Sequence, residues 1–465
     1  MFCQIFFLSL FSICNSILIA KVQNHIIVGD MYNNLFNVTQ DQCICEMIKV
    51  NDTISALNYF STNQTCQLFR SNISTIYIEF YSNSTFVFIN QSSISILNIQ
   101  EYQSSTSTST PTTISSTTTS TSAHSLFLNQ TTYPAGVMSW SVAVIDVNND
   151  NKLDIIVANY NSNNVGILLN AGNGTFSAQT TYSVGTNPSS VAVADVNSDN
   201  KPDIIVTNSG SNNIGILFNT GNDTFNAQTT YSVGTDPWSV SVIDVNSDNK
   251  PDIIVANYGS NTVSVLLNAG SGIFNAQTAY LVSYYPISVA VVDVNNDNRP
   301  DIIVANFDSN NVGILLNTGS GTFNAQTAYL VDTNPVSVAV VDVNNDNKSD
   351  IIIANYGSNT VGVLLNTGSG TFNAQTTYSV GINPISVAVV DVNSDNKPDI
   401  IVANYGSNNV GVLLNTGNCT FNAQTTYSVS SNPVSVVVAD VNNDSKPDIV
   451  VANSGSNNIA VLLNY

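Results

Sequence analysis

Residues 386–429 read SVAVVDVNSDNKPDIIVANYGSNNVGVLLNTGNCTFNAQTTYSV. Four short apolar runs rich in Val, Ile and Tyr alternate with turns of Asn, Gly, Ser and Pro, which is the pattern of consecutive β-strands. The reading gives strand A (SVAVVDV), strand B (DIIVAN), strand C (VGVLLN) and strand D (AQTTYSV). No window repeats apolar residues at i, i+3 and i+4, so helix is expected to be almost absent. The unit recurs without insertion. Its DVN element starts at Asp146, Asp195, Asp244, Asp293, Asp342, Asp391 and Asp440, each 49 residues after the last. Seven copies at that period indicate a propeller or a solenoid.

The ends of the array separate the two. FLNQTTYPAG at 127–136 aligns without a gap on the strand-D sequence FSAQTTYSVG that starts at Phe176, and the chain stops at LLNY after the seventh strand C. The array therefore holds 28 strands, enough for seven blades of four if the leading strand completes the last blade. A solenoid needs distinct capping repeats and no borrowed strand. The expected fold is all-β: a seven-bladed β-propeller of four-stranded blades, its ring closed by an N-terminal outer strand.

Upstream, the composition changes twice. Residues 1–20, MFCQIFFLSLFSICNSILIA, are an almost uncharged apolar run before Lys21 and read as a secretory signal peptide, with a short signal anchor as the alternative. Residues 21–102 read as a small β-rich extracellular module with Cys43, Cys45 and Cys66; a disulfide from Cys43 or Cys45 to Cys66 is expected, with Cys419 far from the others. Residues 103–124 form a mucin-like linker: 17 of the 19 positions from 104 to 122 are Ser or Thr, which cannot bury a core. The propeller fills 125–465. Asn-x-Ser/Thr acceptors at Asn37, Asn51, Asn63, Asn72, Asn83, Asn90, Asn129, Asn173, Asn222, Asn418 and Asn443 agree with a secreted glycoprotein. Once the signal is cleaved, no membrane insertion is expected.

Ten Lys and Arg stand against 31 Asp and Glu, a formal net charge of −21. This balance excludes nucleic acid and anionic membranes as partners, because phosphate contacts need clustered basic side chains. A hydrophobic share of 43% excludes a largely disordered chain. Most of the acid sits in one place: the seven A–B connections hold 21 of the acidic residues and 7 of the basic ones.

Each A–B connection has nine residues, as in DVNSDNKPD from Asp391. Oxygen side chains stand at positions 1, 3, 5 and 9, and position 7 is expected to offer its backbone carbonyl while its basic side chain points outward. The candidate metal ligands are Asp146, Asn148, Asp150, Lys152 and Asp154 in the first unit, then Asp195, Asn197, Asp199, Lys201 and Asp203. The third and fourth units supply Asp244, Asn246, Asp248, Lys250 and Asp252, and Asp293, Asn295, Asp297, Arg299 and Asp301. The last three supply Asp342, Asn344, Asp346, Lys348 and Asp350; Asp391, Asn393, Asp395, Lys397 and Asp399; and Asp440, Asn442, Asp444, Lys446 and Asp448. These are hard oxygen donors suited to Ca²⁺, up to seven ions in all, whereas zinc would call for His or Cys and magnesium keeps more of its water. An EF-hand is excluded, since its twelfth position must be Glu and is Val157 in the first unit. The competing reading is a set of side-chain-capped turns. Three carboxylates crowded into one short connection repel one another without a cation.

At these residues the chain resembles the FG-GAP/VCBS repeats of integrin α-subunit-like propellers, over residues 125–465 and including the GTFNAQ-type segment after strand C. The resemblance implies structural Ca²⁺ in the A–B loops on one face and ligand binding by the D–A and B–C turns on the other. There are two departures. Position 3 is Asn where the family more often has Asp, and position 6 is Asn, or Ser445 in the last unit, where the family has Gly. Asn enters the left-handed region at modest cost, so the bend is expected to survive, least securely at Ser445. Residues 43–69, ending in ALNYFSTNQTCQLF, resemble a PAN/apple-type module.

Comparing the seven units with one another singles out positions on the implied ligand face. Tyr284 and Tyr285 replace the usual Thr and Asn of the D–A turn, and Asp308 and Asp332 replace glycines, an acidic patch near blades four and five. Trp140 and Trp238 follow D–A turns, in a column otherwise of Ser, Ile and Val that reads either as half-buried packing or as a stacking surface. The chain reads as a secreted, calcium-binding recognition or adhesion module for an extracellular protein or glycan. The alternatives are a secreted carbohydrate-active enzyme, lyase or hydrolase, on a propeller scaffold, and a structural matrix or surface protein. We read it as non-catalytic, because His25 and His124 lie outside the array and no insertion builds a pocket.

Overall fold

The computed structural model describes residues 126–465 except 222 and 418, together with the backbone of five upstream strands. The chain divides into two compact units, Met1–Thr119 and Ser120–Tyr465. In the first, Ile19–Val22 pairs with His25–Val28, and Ser55–Phe60 lies between Thr65–Arg70 and Ser84–Val87 in an antiparallel sheet. Apart from Ile19 and Ala20, the expected signal peptide lies outside the described residues. So do the linker at 103–124, and Cys43 and Cys45 of the expected disulfide.

The second unit is a seven-bladed propeller. Blade 1 runs from strand A (Ser139–Ile145) through B (Asp154–Asn159) and C (Asn164–Leu168) to D (Thr180–Ser183), all antiparallel neighbours. Blades 2 to 6 repeat this order. In blade 7, strands Pro433–Ala439, Asp448–Asn453 and Asn458–Leu462 are completed by Thr131–Pro134 from the start of the array. The expected borrowed strand is present. Helix among the described residues is limited to two 3₁₀ turns, Tyr160–Ser162 and Ser209–Ser211.

Burial explains the strand sequences. Blades stack face against face, so the B strands are covered on both sides and read as unbroken runs such as DIIVAN, buried along their whole length. Ile156, Val165 and Ile167 of blade 1, for example, share a cluster with Val191, Ile204 and Val206 of blade 2. The D strands are outer edges, and their Thr and Ser are exposed. Strand A begins two residues earlier than expected and stops before the loop aspartate: in blade 6 it is Pro384–Val390. After strand C a small hairpin appears that the sequence reading did not anticipate, Asn415–Gly417 against Thr420–Phe421 in that blade.

These hairpins knit neighbouring blades. Their first residue, Asn219 in blade 2, is buried; its Nδ2 donates to the Val147 carbonyl of blade 1 at 2.8 Å and its N–H donates to Asp203 Oδ1 at 2.8 Å. The same bridge recurs around the ring, and Asn170 of blade 1 closes it on Val441 of blade 7. Each hairpin also carries a Phe that meets the strand-D Tyr of the preceding blade edge to face, as Tyr182 meets Phe225 at 5.5 Å. Such pairs contribute about 0.5–1.5 kcal/mol each beyond burial.

Closure uses more than one strand. Phe127 bridges Asn464 as Phe225 pairs with Asn219, and it packs on Tyr427 of blade 6 at 5.2 Å. Tyr133 packs on Phe176 of blade 1 at 5.4 Å. The segment thus restores a strand, half a hairpin and two aromatic contacts. Deleting residues 126–134 from the full chain is expected to cost several kcal/mol and lower the melting temperature by on the order of 10 °C. An unchanged melt by circular dichroism would show that the ring does not need this segment.

Candidate functional site

Antiparallel order sorts the connections onto two faces. A–B loops and C–D hairpins share one face; B–C and D–A turns share the other.

On the first face the nine-residue loops wind around their own side chains. In blade 1, Asp146 Oδ1 accepts the N–H of Asn148 and of Asp150, each at 3.2 Å, and its Oδ2 accepts that of Asn151 at 2.7 Å. Asn148 Oδ1 accepts the Asp150 N–H at 3.1 Å, and Asp150 Oδ1 accepts the Lys152 N–H at 3.0 Å. The winding needs left-handed backbone at positions 4 and 6, where Asn149 and Asn151 have φ of 61° and 62°. Ser445 adopts it too, at φ 68°, so the bend survives without Gly in all seven loops. That conformation also recurs at position 4, which the sequence reading did not single out.

Two findings change the expected picture of the loops. The position-7 side chain does not point outward: Lys152 Nζ folds back onto Asp150 Oδ2 at 2.8 Å, and the same pairing occurs at Lys201, Lys250, Lys348 and Lys397, with Arg299 at 3.9 Å from Asp297. The ammonium finds the nearest carboxylate and lowers the local repulsion. Position 9 is drawn inward instead of facing the loop centre. Asp154 is fully buried, with Oδ2 accepting the Val147 N–H at 3.0 Å and Oδ1 the Asn170 N–H at 2.8 Å.

Burial pushes the carboxyls of Asp154, Asp203, Asp301, Asp350, Asp399 and Asp448 up to about 6 and raises that of Asp252, against the two backbone N–H bonds that each accepts. The donor set that remains, side-chain oxygens at positions 1, 3 and 5 with the position-7 carbonyl, fits a calcium ion chemically. Among the described residues no three acidic, His or Cys side chains converge as a ready-made cage. Seating an ion would require the position-5 carboxylate to exchange its lysine for the metal.

The second face is stapled turn to turn. Ser209 N–H and Gly210 N–H donate to the Asn187 and Thr186 carbonyls, joining the B–C and D–A turns of blade 2, and Asn187 N–H donates to Asn163 Oδ1 of blade 1 at 2.9 Å. The inter-blade staple repeats through to Met138 N–H on Asn457 Oδ1. Position-to-position differences are therefore displayed on a fixed frame.

Tyr284 is 68% exposed, and Tyr285, left-handed at φ 57°, stacks on Tyr258 with ring centroids 4.5 Å apart. Burial, with Asp308, Tyr285 and Asp236 nearby, raises the Tyr258 hydroxyl above its usual range. Asp308 is exposed beside that stack, whereas Asp332 accepts a hydrogen bond from Thr360 Oγ1 at 2.9 Å. The two carboxylates stand on adjoining turns: the N–H of Val331, next to Asp332, donates to the carbonyl of Asn310, two residues after Asp308, at 3.0 Å.

Trp140 and Trp238 meet at 5.6 Å and 66°, across blade 2, where Ser189 and Ser209, smaller than the residues at the same positions in most other blades, make room. Ser189 Oγ donates to the Pro237 carbonyl at 2.7 Å. Trp140 also touches Tyr160 at 5.6 Å, and Trp238 touches Tyr258 at 6.0 Å. Packing thus accounts for the placement of both indoles, which stay half-buried at the rim of a cavity of about 370 Å³ in the channel mouth.

Below the rim lies a ring missed in the sequence reading. Ser141, Ser190, Ser239, Ser288, Ser337, Ser386 and Ser435 each accept the N–H of a Val in the next blade at 3.2 to 3.4 Å, the last closing on Val142. These bonds satisfy the inner edges of the A strands. One serine at the same offset in all seven units was the available signal.

The FG-GAP-like repeat model matches six overlapping stretches of this chain, residues 146–206, 195–255, 244–304, 293–353, 342–402 and 391–451. No curated protein matches, and the PAN/apple-type resemblance of residues 43–69 finds no support. Among solved structures, BBS1N in complex with ARL6DN is 14% identical, with 74% of this chain and 98% of that one covered and a TM-score of 0.54. Virginiamycin B lyase from Staphylococcus aureus is 14% identical over 72% of this chain and 99% of that one, with a TM-score of 0.52. At such identities the likeness is one of fold alone. Repeat matches that together run from residue 146 to 451, on the seven-bladed ring described above, place the chain in the FG-GAP-like repeat family.

Proposed function

We propose that the protein is a secreted recognition module whose A–B loops bind structural calcium and whose opposite face contacts an extracellular protein or glycan. The observation that carries this is the division of labour between the faces. The loop face repeats one acidic sequence seven times, while Tyr284, Tyr285, Asp308, Asp332 and both tryptophans fall on the stapled face. Bound calcium would supply fixed positive charge to loops that each carry −2, held by the side-chain oxygens of positions 1, 3 and 5 and the position-7 carbonyl, with position 9 tying the loop to the ring. Export is supported by the apolar run at 1–20 and by the exposure of Asn129, Asn173 and Asn443, three of the glycan-acceptor sites. One neighbour in fold was solved with a bound protein and another is a lyase, so fold similarity leaves the choice between recognition and catalysis to this chain's own residues.

Calcium is tested by melting the chain with the ion and with a chelator. A ligand bound only by the native state stabilises it, by about 2.7 kcal/mol for a site at 100 times its Kd, so chelation is expected to lower the melting temperature. In the chelated protein the ninth-position aspartates have folded pKa values above their unfolded ones. For Asp154, Asp203, Asp301, Asp350, Asp399 and Asp448 that contribution is present below about pH 4 and is lost as the pH rises through about 6. Stability should therefore fall across that window without calcium and recover when calcium is added at pH 7. A melting temperature indifferent to chelation at neutral pH would rule the loops out as calcium sites.

Recognition is tested by screening the purified chain against immobilised glycans and extracellular proteins. Saturable binding without turnover is expected. Product formation that disappears in Asp308→Asn or Asp332→Asn would make the carbohydrate-active enzyme the correct reading.

A further inference from the structure

The mouth of the central channel has a chemistry of its own, and we infer that it binds the terminal ring of a neutral carbohydrate. The inference rests on the recognition reading and narrows it to one place and one ligand class. The cavity, about 370 Å³, is at the small end of ligand sites, which span ~300–1,000 Å³. No charged side chain lines it.

Trp140 and Trp238 stand over blades 1 to 3, and the rest of the rim mixes aliphatic side chains such as Ile287 and Ile385 with Phe307, Tyr356 and Tyr405. The floor is the serine ring. Each of those serines is half-exposed and its hydroxyl uses one lone pair on a neighbouring valine N–H, which leaves its O–H to donate and a second lone pair to accept.

Three classes of occupant can be compared on these groups. An ion would leave water for a site with no opposite charge, at a cost no lining group offsets. A purely aliphatic group would desolvate hydroxyls without replacing their hydrogen bonds, at about 1–3 kcal/mol for each one stranded. A neutral pyranose meets both halves. Its C–H face suits the half-exposed indoles and aliphatic side chains, and its hydroxyls both donate and accept, as the serines do. The position on the ring axis admits a chain end more readily than a chain interior.

The test is titration of the intact chain with free galactose, glucose, mannose and N-acetylglucosamine, read by tryptophan emission, since both tryptophans of the protein stand at the rim. Glucosamine, glucuronate and cyclohexanol serve as charged and aliphatic comparisons. A saturable change is expected with at least one neutral sugar and a weaker one with every comparison compound. Ser337→Ala combined with Ser386→Ala, remote from the indoles, should weaken that binding about tenfold while the emission spectrum of the free protein stays the same. If the double variant does not fold, Trp140→Phe provides the second arm and should also weaken binding.

Absence of a saturable change with all four sugars overturns the inference, as does binding that is indifferent to these substitutions. If the chain captures a partner in the screen, and Tyr284→Ser removes that capture while the serine variants do not, recognition stands and the assignment to the channel mouth fails.

Discussion

The structure depends on one hydrogen-bonded relay repeated seven times. A buried aspartate at the ninth loop position accepts two backbone N–H groups, one from its own A–B loop and one from the asparagine that opens the C–D hairpin. That asparagine donates to the preceding blade. A buried carboxylate is costly unless it is fully hydrogen-bonded, so the aspartate fixes both connections at once. Through it the conformation of every acidic loop is coupled to the seam between blades. Loop chemistry and ring closure are parts of one system.

This coupling bears on the net charge of −21. The acid is not spread over the surface as a solubilising coat. It is gathered in seven loops where each position-1 carboxylate caps a turn, each position-9 carboxylate anchors a seam, and the basic residue at position 7 partly neutralises position 5 in most of them. The turn-capping reading and the calcium reading are therefore compatible. The same Asx turns that wind the loop also set the oxygen donors of positions 1, 3 and 5 along one short strip of backbone.

Much of this was legible in the sequence because an uninterrupted 49-residue period exposes both architecture and closure. The alignment of Phe127 with Phe176 predicted the borrowed strand and, without being recognised as such, the hairpin contact that accompanies it. What stayed hidden has physical causes. The fold-back of Lys152 depends on a side-chain rotamer, which periodicity does not encode. The hydrogen bond that Asp332 accepts depends on Thr360, a residue 28 positions downstream whose place beside it follows from the fold. The serine ring was hidden by its own regularity, because comparing units with one another highlights differences, whereas this ring is made of a position that never changes.

The two faces follow different rules for that reason. The loop face repeats because each of its residues does the same structural work seven times. The stapled face varies because its turns are held by backbone bonds that tolerate different side chains, as Tyr285 N–H keeps the bond to Asn261 Oδ1 that Asn187 N–H makes to Asn163 Oδ1. On the reading proposed above, the acidic loops are calcium sites integral to the ring. Isothermal titration of the chelator-stripped chain with Ca²⁺ at neutral pH tests that reading most directly. The account predicts saturable binding of about seven ions per chain, one for each loop; titration without saturable heat or stoichiometry would contradict it.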